Sequence, residues 1–404
     1  MTTTTITGAS TAFHADPRVW ALMLAATLTI MSNATISPAL PELAAAFPDN
    51  ENAALIVRLL VTAPSLLVAI IAPLAGMLID RVGRRGLLLG GIGLYALSGA
   101  AGAVLPSLEA ILASRMILGI AVAAVMTAQS TLIGDYFSGR DRDRFMGWQM
   151  AATNIGGLIF IVFAGYLAGL SARLPFLIYA IALIYLPFLY WALPETTREN
   201  QVRALRDGAA PSLEQPGWQR MVATLLALAV STFAIFYVVP TEIPFYLASL
   251  GHAEPSTTSL VLAMQTVFGG ISALFFARVR IWLPGGLAPA AGYLVGASGL
   301  AVLASVPSLG GAMTGAMLIG LGFGQVMPTF VAQALNAAPP HFRGRVSGLM
   351  TSAIFLGQFV SPLITRPMLN ALGYSGTFGA IAVILIAAAI SVALVLRPIA
   401  LGSR

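Results

Sequence analysis

Charged residues are scarce in this chain, and one basic residue type is missing altogether. Asp, Glu and Arg make up 9% of the 404 residues, and there is no Lys, whereas a soluble domain carries about 25% charged residues. Apolar residues account for 58% of the chain, and the mean hydropathy is +0.88. Because so few charges cannot cover a surface that faces water, the composition predicts a protein whose solvent is lipid.

Cysteine is absent as well, which excludes disulfides and thiolate chemistry. The three histidines, His14, His252 and His341, fall in predicted loops, and none lies at metal-ligand spacing from a carboxylate. We therefore expect no metal, no cofactor and no enzyme activity. The stretch from Met1 to Pro17 lacks a basic segment followed by an apolar one, so we expect no removable signal peptide.

Long apolar runs take up most of the chain. In lipid, backbone groups must find hydrogen-bond partners within the protein, which restricts a spanning segment to a helix or a closed barrel. The runs are unbroken rather than alternating, and each approaches or exceeds the roughly 20 residues that cross the hydrocarbon layer as a helix. They cover residues 18–46, 54–79, 86–105, 108–135, 145–169, 174–193, 220–249, 257–277, 285–305, 308–336, 345–370 and 375–397. The pattern predicts an all-α membrane protein with twelve transmembrane helices.

The net charge of +6 comes from arginines that are clustered between the apolar runs. The clusters are Arg81, Arg84 and Arg85; Arg140, Arg142 and Arg144; Arg198, Arg203 and Arg206; Arg278 and Arg280; and Arg343 and Arg345. Clusters in alternate loops follow the positive-inside rule, so they place these loops and both termini in the cytoplasm. We expect a multi-pass protein of the inner (cytoplasmic) membrane, with no nucleic acid partner.

A polar stretch divides the chain into two halves of six runs each. We predict a six-helix bundle over residues 1–193, a cytoplasmic linker over 194–219, and a second six-helix bundle over 220–404. We expect the protein to act as a monomer.

The two halves repeat each other in sequence. Arg115-Met-Ile-Leu-Gly119 aligns with Ala316-Met-Leu-Ile-Gly320, and Arg144-Phe-Met-Gly147 aligns with Arg345-Val-Ser-Gly348. Both alignments have an offset of about 201 residues, half the chain. A parallel repeat of six spans is typical of one class of secondary transporters.

The loop between the second and third runs contains a motif that points to a family. It reads Gly76-Met-Leu-Ile-Asp80-Arg81-Val-Gly83-Arg84-Arg85, and Gly83 permits the turn of a very short loop. The motif resembles the loop signature of the major facilitator superfamily. The segment at Arg115 resembles the fourth-span motif of drug:proton antiporters, and Leu193-Pro-Glu195-Thr resembles the exit from the sixth span. The resemblance covers nearly the whole chain and implies the major facilitator fold, two pseudo-symmetric six-helix bundles, most like the twelve-span drug:proton antiporter branch.

The charges of this motif suit a gate at the cytoplasmic end. Asp80, which precedes Arg81, can face a helix N-terminus in the other half, where the helix dipole favours an anion. Arg84 and Arg85 can reach acids at the cytoplasmic end of the fourth span, for which Asp135 is the candidate. We predict that these residues act in gating.

Arg58, Arg115 and Glu242 are ionisable residues predicted inside spans. Counting about 1.5 Å of rise per residue places them ~30 to 33 Å above the cytoplasmic edge, in the outer part of the membrane. Ionisable groups at such depth are costly, so we take Glu242 as the proton-coupling group, Arg115 as a substrate ligand and Arg58 as a gating residue. The alternatives are that Arg58 extends to the outer interface and that Glu242 lies in a wet outer vestibule.

The polar residues at mid-depth are amides. They are Asn33, Asn154, Gln265, Gln325 and Gln358. A ring of amides on facing helices suits a central cavity that binds a polar or amphipathic solute by hydrogen bonds. The alternative for each is an interhelical hydrogen bond with no role in substrate binding.

These features predict a secondary transporter that moves a small amphipathic or polar solute by alternating access, with proton-coupled efflux as the first hypothesis. Its partners would be a small-molecule substrate, protons and the lipid bilayer. One alternative is uptake or facilitated transport of an organic anion, with Arg58 and Arg115 as counter-charges. Another is a non-transporting membrane receptor, although a receptor would not need the gating loop.

Overall fold

The computed structural model describes residues 15–137, 139–195, 217–283, 285–339 and 342–395, and these residues form helices without any strand. We number the helices α1 (Pro17–Ala34), α2 (Leu40–Ala45), α3 (Ala53–Val82), α4 (Arg84–Ala100), α5 (Leu108–Tyr136), α6 (Gly139–Leu170), α7 (Ile181–Ala192), α8 (Trp218–Phe236), α9 (Val238–Ser249), α10 (Pro255–Leu274), α11 (Phe276–Trp282), α12 (Leu287–Ser305), α13 (Leu309–Ala337) and α14 (Arg343–Val395). Three short 3₁₀ segments, Ser37–Ala39, Ala101–Ala103 and Leu174–Ala180, extend neighbouring helices.

Ten helical stretches of the described chain are long and apolar enough to cross a membrane. The last one, Arg343–Leu394, has 52 residues, which at about 1.5 Å per residue is ~78 Å, far more than one hydrocarbon layer of about 30 Å. Its backbone is broken at Gly373, where φ is 64°, so it contains two spans. Together with α1, which has 18 residues, these helices are consistent with twelve spans.

Prolines break the helices that the apolar runs predict as continuous. Residues 220–249 form α8 and α9, with the break after Phe236. Pro240 follows four residues later, where its ring clashes with the carbonyl of Phe236 and its nitrogen cannot donate. Pro244 lies inside α9, where it removes one backbone hydrogen-bond donor. Glu242 therefore lies between two prolines.

The sequence repeat is also a repeat of structure. Helix α5 begins after Ser107, whose hydroxyl accepts from the Ala110 amide, and α13 begins after Ser308, whose hydroxyl accepts from the Gly311 amide. Both helices have 29 residues. The two caps have the same offset as the aligned segments, so the two halves begin and end these helices at equivalent residues.

Glycines bring helices into backbone contact at equivalent places in the two halves. A Cβ atom on Gly119 in α5 would collide with the Pro64 carbonyl oxygen of α3. A Cβ atom on Gly320 in α13 would collide with the Gln265 carbonyl oxygen of α10. Pro64 and Gln265 are related by the same offset, so both halves use a glycine where two helices cross without a side chain between them.

Buried apolar side chains form two clusters, one drawn almost entirely from residues 19–193 and the other from residues 222–392 with Ile161. Large apolar side chains also cover the outside, as Leu97, Ile184 and Trp191 do, with 68%, 73% and 72% of their surface exposed. An apolar exterior of this extent is expected where lipid surrounds the helices. The bundle boundaries at residues 193 and 220 remain a prediction, and most of the linker lies outside the described residues.

Candidate substrate cavity and gates

A buried ion pair joins the two halves at the outer side of the protein. The Nε atom of Arg58 in α3 donates to both carboxylate oxygens of Glu242 in α9, at 2.8 and 2.9 Å. The side chains are 2% and 0% exposed. Each residue lies 24 positions from the predicted cytoplasmic end of its helices (82 − 58 and 242 − 218), which is ~36 Å at 1.5 Å per residue. The pair therefore lies towards the side that the sequence predicts to be the outer one, and we name it the outer gate after the gating role predicted for Arg58.

Other groups surround the outer gate. The Arg58 guanidinium lies 3.8 Å from the centre of the Phe245 ring and donates to the Ala54 carbonyl at 2.6 Å. From α14, Tyr374 and Arg366 are close enough to Arg58 and Glu242 to interact with them electrostatically. The sequence analysis did not identify Arg366, although an arginine inside a predicted span was a signal available for it.

The structure overturns two alternatives for these charges. Arg58 does not extend to the outer interface, because its guanidinium is buried against Glu242 and Phe245. Glu242 does not lie in a wet vestibule, because no part of its side chain is exposed.

Arg115 lies elsewhere, inside the N-terminal half. Its Nη2 atom donates to the Tyr179 hydroxyl at 2.7 Å, and its guanidinium lies 4.4 and 5.1 Å from the ring centres of Tyr179 and Phe176. The side chain is fully buried, and within the described part of the chain it has no carboxylate partner. The prediction that Arg115 binds substrate meets a physical obstacle, because these aromatic rings surround the guanidinium and it does not line the cavity described next.

A cavity of about 390 Å³ lies between the halves. Asn154 of α6, Gln265 of α10 and Gln358 of α14 all line it. By their distance from the cytoplasmic helix ends, these amides lie ~14 to 23 Å up, well below the outer gate. The structure thus brings together three of the five amides predicted at mid-depth.

One of the other two amides does not line the described cavity. Gln325 does not line it and instead donates from Nε2 to the backbone carbonyl and hydroxyl of Ser272, joining α13 to α10. This is the interhelical hydrogen bond that was the alternative for each amide. The side chain of Asn33 lies outside the described part of the chain.

Aromatic and small residues complete the cavity, and the sequence analysis did not identify them. The aromatic residues are Phe233, Phe236, Tyr237, Phe323 and Phe355, and the glycines are Gly269, Gly320 and Gly324. Phe233, Phe236 and Tyr237 follow the i, i+3, i+4 spacing of one helix face. That spacing was visible in the sequence, but such a stripe occurs as often in a core as in a cavity.

Further contacts join the halves between the outer gate and the cytoplasmic side. The Ser65 hydroxyl donates to Gln358 Oε1 at 2.7 Å, and the Ser352 hydroxyl donates to the Ala69 carbonyl at 2.8 Å, so both bonds connect α3 with α14. On the opposite side of the cavity, a Cβ atom on Gly165 of α6 would collide with Ser259 of α10. The halves are therefore in close contact on both sides of the cavity.

Comparison with known proteins agrees with this geometry. The profile of the Major Facilitator Superfamily matches residues 22–362. The chain belongs to the major facilitator superfamily. It is therefore a membrane transporter of this superfamily.

Individual relatives are distant. Quinolone resistance protein NorA of Staphylococcus aureus is 23% identical over 314 residues, which cover 77% of this chain and 80% of that protein. Multidrug resistance protein 1 of Bacillus subtilis is 30% identical over 135 residues, 33% of this chain and 35% of that protein. The crystal structure of a D-xylose-proton symporter has a TM-score of 0.76 at 19% identity, covering 93% of this chain and 96% of that one, a likeness of fold.

The major facilitator loop motif forms contacts within the N-terminal half. Gly83 has φ of 80°, which confirms the turn predicted for it. Arg84 forms an ion pair with Asp135, the partner that the sequence predicts. Arg85 instead donates to the Tyr190 carbonyl and lies 4.2 Å from the centre of that ring.

The gating role of the motif remains a prediction. The side chains of Asp80 and Arg81 lie outside the described part of the chain, so the predicted contact of Asp80 with the other half has no structural counterpart here.

Proposed function

We propose that this protein is a proton-coupled exporter of small amphipathic compounds, and that Glu242 is its coupling group. The observation that carries the proposal is the buried ion pair between Arg58 and Glu242, which joins the two halves above the cavity. Glu242 also lies two residues from Pro240, which lines that cavity. A single titratable carboxyl is thus part of the outer gate and adjacent to the substrate space.

Protonation of Glu242 weakens the closed outer gate. The proton removes the charge that neutralises Arg58 and leaves a buried guanidinium without its counter-ion, which costs several kcal/mol. By thermodynamic linkage, opening of the gate then increases the affinity of Glu242 for a proton. Glu242 therefore takes up a proton when the outer side is open and releases it as the ion pair forms again.

This linkage supports inward movement of protons and outward movement of substrate. The ionised protein rests with the outer gate closed, and substrate binding in the cavity supplies the free energy that opens it. The outer gate then closes without substrate as the ion pair forms again, and Glu242 releases its proton towards the cavity. The motion is a rocking of the bundle 1–193 against the bundle 220–404 about the cavity, with 194–219 as the linker.

The direction and location of transport are part of the proposal. Two sequence relatives bear names that refer to quinolone or multidrug resistance, which supports export. The clustered arginines support a place in the cytoplasmic membrane with both termini in the cytoplasm. Organic anion uptake gains no support, because Arg58 is paired and Arg115 does not line the cavity.

Reconstitution into proteoliposomes tests the proposal. A panel of fluorescent amphipathic compounds that includes a quinolone is offered with an imposed proton gradient as the sole driving force. We expect the native protein to accumulate at least one compound against its gradient, and Glu242→Gln to abolish accumulation while downhill exchange continues. Accumulation by Glu242→Gln, or none by the native protein, contradicts the proposal.

A further inference from the structure

The cavity has an apolar wall with a particular composition. Five aromatic side chains line it, together with three methionines, Met126, Met150 and Met327. Phe236 and Phe323 are in contact across the wall, with ring centres 5.4 Å apart, and Phe233 and Phe236 are 5.8 Å apart. Flat aromatic surfaces and flexible thioethers favour planar apolar groups of varied shape.

No acidic or basic side chain stands among the described residues that line this cavity. The closest carboxylate along the lining helices is Glu242, which is buried and paired with Arg58. Transfer of an ion from water into such a space is unfavourable when no counter-charge receives it. Aromatic faces attract a cation too weakly to offset that loss of hydration.

The polar groups of the cavity are neutral amides. Gln265 is 5% exposed, and its Nε2 atom has no hydrogen-bond partner in the described part of the chain. A buried amide without a partner is costly, and a carbonyl or hydroxyl group of a ligand would satisfy it.

We propose that the cavity selects uncharged aromatic compounds that carry a carbonyl or amide group, and that it discriminates against permanent cations and anions. The inference rests on the proposed function only in that it names the substrate class of the same site. The rings of the ligand would lie on the aromatic wall, and its carbonyl would accept from Gln265, with Asn154 on the facing helix.

Three probes of matched shape test this selectivity. N-benzylbenzamide, dibenzyldimethylammonium and diphenyl phosphate each have two phenyl rings joined by three atoms, and they are neutral, cationic and anionic respectively. Binding to the purified full-length protein in a non-ionic detergent is measured by isothermal titration calorimetry. We expect the neutral probe to bind at least tenfold more tightly than either ion.

Substitutions at Gln265 connect the selectivity to the cavity. Gln265→Leu should weaken binding of the amide probe about threefold to tenfold, and Gln265→Glu should bring the cation to at least equal affinity with the amide. Gln333→Leu is the matched control, because Gln333 lies on α13 and does not line the cavity; it should change neither affinity. Each variant is accepted only if its gel-filtration profile matches that of the native protein.

Equal affinity for the three probes, tighter binding of either ion, or no binding of any probe overturns the inference. If the Gln265 variants do not fold, the affinities of the three probes for the native protein still test the proposed selectivity. Binding in detergent requires neither a proton gradient nor a direction of transport. Failure of the inference therefore leaves the exporter proposal standing, and failure of coupling leaves the selectivity standing.

Discussion

Arg58 and Glu242 join the two halves of the protein through two hydrogen bonds of 2.8 and 2.9 Å in a space closed to solvent. The repeat offset relates Arg58 to Ser259, and on that side the halves close by direct packing of Ser259 on Gly165. One side of the outer closure is thus charged and the other is not. Only the charged side can respond to a proton.

The first prediction is that breaking the ion pair opens the outer side. Because the chain has no cysteine, Ser259→Cys supplies a single reporter that is buried in the closed state, where Ser259 is 3% exposed. Adding Glu242→Gln should increase its labelling rate by an impermeant maleimide applied from the outside about tenfold. A cysteine at the exposed Glu254 should react at one rate in both backgrounds, and equal rates at residue 259 would count against the outer gate.

The second prediction concerns the buried pair of Arg84 and Asp135, which are 14% and 3% exposed. Asp135→Asn leaves a largely buried guanidinium without its charge partner, so we expect a loss of about 3 kcal/mol of stability. Removing both charges, with Arg84→Gln added, should restore much of that loss. Thermal unfolding in detergent measures the effect, and a double variant less stable than the single one would refute the explanation.

The third prediction concerns Asp80, whose role is inferred from the sequence motif alone. Asp80→Asn removes a charge without a change in size, so folding and membrane insertion should continue. We expect transport to slow severely, because the cytoplasmic gate would lose its anion at the helix N-terminus of the other half. Transport rates in proteoliposomes test this prediction. A variant that transports at the full native rate would exclude the gating role of Asp80.

The fourth prediction concerns Gly119, where α5 crosses α3. Gly119→Ala places a methyl group against the Pro64 carbonyl and the Leu67 side chain, which should destabilise the N-terminal half by about 1 to 3 kcal/mol. Gly134→Ala on the same helix is the control, because nothing lies within 4 Å of the added Cβ atom. The two melting temperatures in detergent should differ clearly, and equal values would show that the helices can separate at no cost.

Much of the fold could be predicted from residue order because lipid restricts the possible structures. Long apolar runs predict helices, since a backbone in lipid has few other ways to satisfy its hydrogen bonds. The repeat at Arg115 and Ala316 could be detected in the sequence because both halves need small residues at the same helix crossings. The break between α1 and α2 and the break after Phe236 were less evident, because a proline near a helix end is compatible with either a break or a kink.

The candidate site could be predicted only in part. Rise along a helix gives a height, and the equal heights of Arg58 and Glu242 are compatible with the contact that they make across the halves. Height says nothing about the direction in which a side chain points. Arg115 has a similar height to Arg58 and Glu242, and yet its guanidinium lies among aromatic rings. Gln325 has the height of the cavity amides, but its side chain bonds to Ser272 of α10 instead of facing the cavity.

The sequence by itself determined the membrane class, the family motif, the repeat and the heights of Arg58, Arg115 and Glu242 along their helices, because these follow from composition and from distance along a helix. The tertiary structure decided which charges are paired, which amides share a cavity and where the two halves are in contact. Those properties depend on how helices rotate about their axes and where the two halves touch, as at Ser65 with Gln358 and at Gly165 with Ser259. Helix rotation and interhelical contact depend on packing between residues that are far apart in the chain. The spacing of residues along one helix carries no information about that packing.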